Sequence, residues 1–353
     1  MRLLFYINNI NHGGAERVIS NLVTQFSQNG HEVTLVTSFR TEWEYQLGEK
    51  VSRVSLFNSK IKGAVKRNFL LVKGLRKQIK EFNPDVVVSF MAEPNFRSII
   101  ATRGLKCKLL LSVRSDPNKE YGGKILSFLA KALFKKADGI VFQTEDAKSW
   151  FPKKIQQKSK IIYNQVDDKF FENEVLPSGK DIVTAGRLTS VKRHDLLIKA
   201  FSKIYDKIDG NLVIYGDGPL KNELQTLIDD LNLNGRVVLA GQTSDVVLAY
   251  KNAGVFVLSS KVEGMPNALL EAMAVGLPCI STDCPCGGPK AVLSGGNGVL
   301  VPINNVDALA DAMLTLSNDD ALKLKYSLKA KEKAKEFSPS VVYKEWEGYI
   351  SNL

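Results

Sequence analysis

Residues 255–282 read VFVLSSKVEGMPNALLEAMAVGLPCIST, and the order of elements in this stretch decides the architecture. Val255–Leu258 is an apolar run of strand length that ends in a polar loop. Pro266 suits the first turn of a helix, and Leu269 opens that helix's apolar face. A second short apolar run, Pro278–Ser281, follows. Strand, helix, strand in this order is the pattern that feeds a parallel sheet.

The same alternation recurs in both halves of the chain. The first half offers strand candidates at Leu3–Ile7, Glu32–Val36, Asp85–Ser89, Lys108–Val113, Gly139–Phe142 and Lys160–Ile162. The second offers Asp181–Ala185, Asn211–Tyr215, Arg236–Leu239, Val255–Leu258, Pro278–Ser281 and Gly298–Val301. Asp167–Lys180 has neither period and contains Pro177, Ser178 and Gly179, so it reads as a linker. From Ser338, a Ser-Pro helix start precedes Val341, Val342, Trp346, Tyr349 and Ile350 at helical spacing. The expected organisation is an N-terminal Rossmann-like domain over 1–166, a linker over 167–180, a C-terminal Rossmann-like domain over 181–337 and a final helix over 338–353.

At 353 residues the chain is too long for one ordinary core, in agreement with two domains. Its 44% hydrophobic and 24% charged residues are those of a folded protein. The opening MRLLFYINN reaches Asn8 and Asn9 too early for a signal-peptide core, and no apolar run has membrane-spanning length. The expected location is cytoplasmic. Cys107, Cys279, Cys284 and Cys286 match neither a disulfide framework nor a zinc site, and read as reduced structural thiols.

The net charge of +11 is one-sided. Lys and Arg exceed Asp and Glu by 15 over residues 1–165 and fall short by 4 over 166–353. A basic half implies an anionic partner, and an acidic lipid surface ranks first among the options. Nucleic acid ranks last, because the basic stretches lack interleaved aromatics and zinc-finger spacing. Residues 60–80 combine Lys66, Arg67 and Lys73 with Phe69, Leu71, Leu75 and Ile79, the make-up of a basic amphipathic helix, and Lys124–Lys136 is a second such stretch.

Three constellations carry chemistry. In EGMPNALLE, Glu263 and Glu271 stand eight apart, and a loop glutamate before a helix start sets a carboxylate beside free backbone N–H groups. In AGRLTSVKR, Gly186 follows a strand and Arg187 and Lys192 follow it, two cations placed for a diphosphate. In NNINHGGAERV, Gly13 and Gly14 precede a helix, where bare backbone can approach a ligand. An isolated pair of glutamates is more often a solvated loop and helix, the two cations alone fit an anion site and a solvated loop equally well, and Gly pairs are common at such turns; the three together point to a ligand with hydroxyls next to phosphates. Gly216 and Gly218 in YGDGPLKNEL invite comparison with a dinucleotide fingerprint, but Lys221 replaces the third Gly and no ribose-binding acid follows. A dehydrogenase is thereby set aside.

Taken together, GGAERV, IYNQVDD, AGRLTSVKR, YGDGPLKNEL, EGMPNALLE and GLPCISTD resemble, over essentially the whole chain, the retaining GT-B-fold glycosyltransferases often called family 4. That resemblance implies two Rossmann-like domains with parallel sheets facing across a cleft, and a C-terminal helix crossing back to the N-terminal domain. It makes Arg187 and Lys192 the diphosphate clamp and Glu271 the acceptor of ribose hydroxyls. Glu263 would face the donor sugar. Gly186, Gly264, Met265, Pro266, Asn267, Ala268 and Leu269 would line the donor site, and Gly13 and Gly14 would approach from the other domain.

The resemblance also implies a UDP-sugar donor and a polyprenyl-diphosphate-linked glycan acceptor, met at the anionic inner face of the plasma membrane. No cofactor and no catalytic metal are expected, because two cations and helix-terminal amides can carry the leaving charge and the chain has no Asp-x-Asp. In LLLSVRSDP, Arg114 stands where many relatives carry a His that contacts the donor sugar. It is a fourth catalytic candidate, set against pairing with Asp116. Ala291 replaces the usual Glu in GGPKAVL. His31 and His194 read as structural, while His12 beside the glycines is a candidate for lining the cleft. A sugar-nucleotide epimerase and a non-catalytic binder are the rival classes, separated by whether sugar conversion needs an acceptor.

Overall fold

The structure, a computed structural model, describes residues 1–11, 13–57, 62–172, 178–243 and 245–353. The chain forms two compact units, Met1–Asn164 with Val342–Leu353, and Gln165–Val341.

The first unit is built on seven strands, β1 (Arg2–Ile7), β2 (Glu32–Phe39), β3 (Ser52–Phe57), β4 (Val86–Phe90), β5 (Lys108–Ser112), β6 (Gly139–Phe142) and β7 (Ser159–Ile161). All pair in parallel, in the order β3-β2-β1-β4-β5-β6-β7. Its longer helices are α1 (Gly14–Gln28), α2 (Ala64–Phe82), α3 (Ala92–Ala101) and α4 (Lys124–Leu133). Strands buried on both faces read as unbroken apolar runs, which is why β1 and β4 were visible in sequence. The strand missing from that reading is β3. It lies at the sheet edge, is half-buried, and alternates Ser52, Arg53 and Ser55 with its apolar residues, so no run announces it.

The second unit contains β8 (Ile182–Ala185), β9 (Leu212–Tyr215), β10 (Val237–Gly241), β11 (Val255–Leu258), β12 (Cys279–Thr282) and β13 (Val299–Val301). These also pair in parallel, ordered β10-β9-β8-β11-β12-β13. Around them lie α5 (His194–Phe201), α6 (Lys221–Asp230), α7 (Asn267–Val275), α8 (Val306–Asn318) and α9 (Asp320–Ala334). Leu269 to Val275 of α7 are all buried, so this helix is wrapped by protein. It ends because Gly276 adopts a left-handed conformation (φ 93°) and Leu277 N–H returns to the Ala272 carbonyl.

Within the span 167–180 read as a linker, Asp168–Phe170 form a 3-10 turn and residues 173–177 lie outside the described residues. The final helix, α10 (Pro339–Ser351), begins in the second unit and ends in the first. Its Val342, Tyr343, Trp346 and Ile350 join the core of β1, α1 and β4. Trp346 is fully buried and stacks on Phe90 with centroids 5.6 Å apart. The described residues contain no helix long and apolar enough to cross a membrane.

Candidate active site

In the second unit the strand order reverses between β8 and β11. Ligands of open parallel sheets bind outside the carboxyl ends of the strands at such a switch point. The loop after β8 carries Gly186, Arg187 and Lys192, and the loop after β11 carries Ser259, Ser260 and Glu263, so two of the three motifs converge there.

Their side chains meet. Lys192 Nζ lies 2.6 Å from Glu263 Oε1, with the two side chains 24% and 14% exposed. Ser260 Oγ donates to the same carboxylate oxygen at 2.6 Å. Ser260 is itself fixed, since its carbonyl accepts from Thr282 Oγ1 at 2.6 Å and it is fully buried. Ser259 Oγ donates to the Lys192 carbonyl at 2.9 Å, and Lys261 N–H to the Val191 carbonyl at 2.8 Å. The loops are therefore laced together before any ligand arrives. Arg187 is exposed, and its side chain makes no ion pair with another described residue.

Two glycines of YGDG hold this loop rather than a dinucleotide. A Cβ on Gly216 would lie 2.0 Å from the Gly186 carbonyl oxygen, and one on Gly218 within 2.5 Å of the Leu188 carbonyl oxygen. Gly216 also sits at φ 135°, which L side chains rarely adopt. Gly288 plays the same part for Gly264, whose carbonyl oxygen would be 1.6 Å from an added Cβ.

Pro266 caps α7 and so stands one residue before the helix, not in its first turn. Asn267, Ala268 and Leu269 supply the first-turn amides, whose N–H groups have few intrahelical partners. Met265 is buried. Glu271 is 6% exposed, which rules out a glutamate that faces water.

In the first unit, Gly13 caps α1 and Gly14 is its first residue. A Cβ on Gly13 would lie 1.9 Å from the Glu16 carboxylate, the far end of a flexible side chain that can turn away, so packing alone does not require a glycine there. His12 lies outside the described residues. Arg114, just beyond β5, is 7% exposed and donates from Nη2 to Asn164 Oδ1. It does not pair with Asp116, whose carboxylate accepts instead from Asn118 N–H at 2.9 Å.

His31 packs edge-on against Phe26 and reaches Glu347 at 3.4 Å, a core role. His194 is 3% exposed and its pKa is lowered to about 4, first by burial and then by Lys192. All four cysteines are free, and burial pushes the Cys284 thiol up to about 12, as for an inert thiol.

The two basic amphipathic stretches differ. On α2, Leu71, Leu75 and Ile79 are buried in the core, while Val65 and Phe69 stay exposed; Lys60 lies outside the described residues. On α4 only Ala130 is buried, and Ile125 and Phe128 are 78% and 71% exposed. Sequence reasoning missed Ser259, Ser260 and Thr282, although a Ser-Ser pair directly after a strand was available as a signal. It also gave no role to Gln143 and Asn164.

The glycosyl transferases group 1 model matches residues 165–337 and the glycosyltransferase family 4 model residues 12–170. An uncharacterised glycosyltransferase of Methanocaldococcus jannaschii is 31% identical, the match covering 83% of this chain and 86% of that protein. An N-acetylgalactosamine-N,N'-diacetylbacillosaminyl-diphospho-undecaprenol 4-alpha-N-acetylgalactosaminyltransferase of Campylobacter jejuni is 30% identical over 95% of each chain. Among solved structures, Anabaena HepE in complex with UDP superposes with a TM-score of 0.84 over 100% of both chains at 17% identity. The chain belongs to the family 4 glycosyltransferases and has their GT-B architecture of two Rossmann-like domains.

Proposed function

We propose that the chain transfers a hexose or N-acetylhexosamine from a UDP-sugar to a polyprenyl-diphosphate-linked glycan, with retention of configuration and without a metal. The observation that carries this reading is the convergence of Arg187, Lys192 and Glu263 at the switch point, with the α7 amides and buried Glu271 beyond them. A Lys ammonium has three donors, and Glu263 takes one, so Lys192 keeps two for phosphate oxygens. Arg187 adds a planar fork suited to a diphosphate. Two cations at the departing diphosphate, Lys192 held by Glu263 and Arg187 reaching from the exposed loop, stabilise the charge that develops on it, the work a metal ion does elsewhere. Glu263, held by Lys192 and Ser260, presents its remaining acceptor capacity to sugar hydroxyls. Glu271 serves the ribose.

The acceptor class is supported by the name of the Campylobacter relative, a diphospho-undecaprenol-linked sugar transferase, and the donor class by the UDP held in HepE. An anionic membrane face is supported by the excess of 15 positive charges over residues 1–165 and by the bare apolar side chains of α4 among Lys124, Lys131, Lys135 and Lys136. The test is a panel of UDP-sugars with a polyprenyl-diphosphate oligosaccharide. Free UDP should appear with one donor and only when acceptor is present. Sugar conversion without acceptor, or no turnover with any donor, would contradict the proposal.

A further inference from the structure

We infer that Arg114, Gln143 and Asn164, all of the first unit, form a buried binding site for the phosphate of a glycosyl diphosphate. This rests on the reading of the chain as a transferase that handles diphosphates.

Four adjacent parallel strands deliver the residues to one edge. Phe90 ends β4, Arg114 lies two residues beyond β5, Gln143 directly follows β6, and Asn164 lies three beyond β7. That is the carboxyl edge, where open parallel sheets take ligands. Asn164 Oδ1 accepts from Arg114 Nη2 and from Gln143 Nε2, the latter at 2.6 Å. The Arg114 guanidinium lies over the Phe90 ring, 5.1 Å from its centroid.

This arrangement holds the guanidinium in place but does not satisfy it. Arg114 Nε and Nη1 and Gln143 Oε1 are buried and have no hydrogen-bond partner among the described residues. Neither does any carboxylate among them form an ion pair with Arg114. Burial holds its pKa down to about 9, with no acid offsetting the effect. An uncompensated buried charge is among the costliest features a fold can keep, and an aromatic face does not neutralise it. A ligand that brings an anionic oxygen to the free N–H groups and a hydroxyl to Gln143 Oε1 completes the site. A phosphorylated sugar has both. The phosphate can come from the donor nucleotide or from the lipid-linked acceptor.

The experiment compares full-length wild type, Arg114→Met and Arg114→Lys by titration with geranyl diphosphate and with UDP, and by thermal melting without ligand. Arg114→Met should weaken one of the two ligands by at least about tenfold, as loss of a charged hydrogen-bond partner does. Loss confined to geranyl diphosphate assigns the site to the acceptor, and loss confined to UDP assigns it to the donor. Arg114→Lys should keep part of the affinity and covers the case in which the Met variant does not fold. Ligand-free Arg114→Met should melt higher by about 2–4 °C, because the unpaired charge is gone. Affinities within twofold of wild type for both ligands in both variants would overturn the site. If Arg114→Met loses geranyl diphosphate while wild type shows no sugar transfer, the anion site stands and the transfer reading falls.

Discussion

Removing Lys192 and removing Arg187 should cost the same activity but different stability. Both side chains are assigned to the diphosphate, so Arg187→Ala and Lys192→Ala should each lower kcat/KM by a factor on the order of 100 or more. Their surroundings are not alike. Lys192 is paired with Glu263 at 2.6 Å, the two being 24% and 14% exposed. Exposed pairs contribute about 0–1 kcal/mol, and breaking a fully buried pair costs about 3–5. A pair of intermediate exposure belongs between, at about 1–3 kcal/mol, mostly because Glu263 is left largely buried with Ser260 Oγ donating to it and no cation beside it. For a unit of this size that is a fall of roughly 3–10 °C in Tm. Arg187 is exposed and has no ion pair with a described residue, so its loss should leave stability within about 0.5 kcal/mol. Steady-state kinetics with the best donor, and melting without ligand, measure both quantities. Near-normal kcat/KM in either variant, or equal melting of Lys192→Ala and wild type, would refute the reasoning.

Glu271→Ala should mainly weaken UDP binding, whereas Glu263→Ala should damage transfer while UDP still binds; equal loss of UDP affinity in both would overturn the division of roles. His194 stays neutral in the fold down to about pH 4, whereas in the unfolded chain it takes up a proton near its ordinary 6.5. Stability should therefore be unaffected above about pH 6.5 and fall between 6.5 and 4 by up to about 3 kcal/mol, and melting of His194→Leu from pH 7.5 to 5 should show a flatter decline. If the apolar side chains of α4 enter a lipid surface, Ile125→Glu with Phe128→Glu should weaken binding to anionic vesicles by at least about 100-fold, because burial of each side chain contributes roughly 1.5–3 kcal/mol. Reversing Lys66, Arg67 and Lys73 to Glu should weaken the salt-sensitive part, and vesicle binding that ignores salt and both sets of changes would remove the membrane from the account.

Much of this was legible in the sequence because parallel strands buried on both sides are written as short apolar runs. β6 and β11 fall where expected, and most others within a residue. β2 ran longer than its apolar core, to Phe39, because Thr37 and Ser38 are buried polar residues; Ser38 Oγ meets Tyr6 Oη at 2.7 Å. The edge strand β3 lacked the run altogether. At the candidate site, motif order singled out Arg187, Lys192, Glu263 and Glu271 as candidates, but not the hydrogen bonds that join Lys192, Ser260 and Glu263. Ser260 and Thr282 support Glu263 from two different strand ends, and no spacing along the chain encodes that meeting. The basic stretches show the same limit. Periodicity finds an amphipathic helix in each, but only tertiary packing decides that α2 turns Leu71 and Leu75 inward while α4 leaves Phe128 bare.

The configuration at the transferred anomeric carbon tests the central proposal most directly. With an α-linked UDP-sugar and a short polyprenyl-diphosphate glycan, the proton coupling of the new glycosidic bond, read by NMR on the purified product, should report an α linkage, formed in step with acceptor-dependent UDP release and unaffected by chelator. A β linkage, or UDP release that does not need the acceptor, would contradict it.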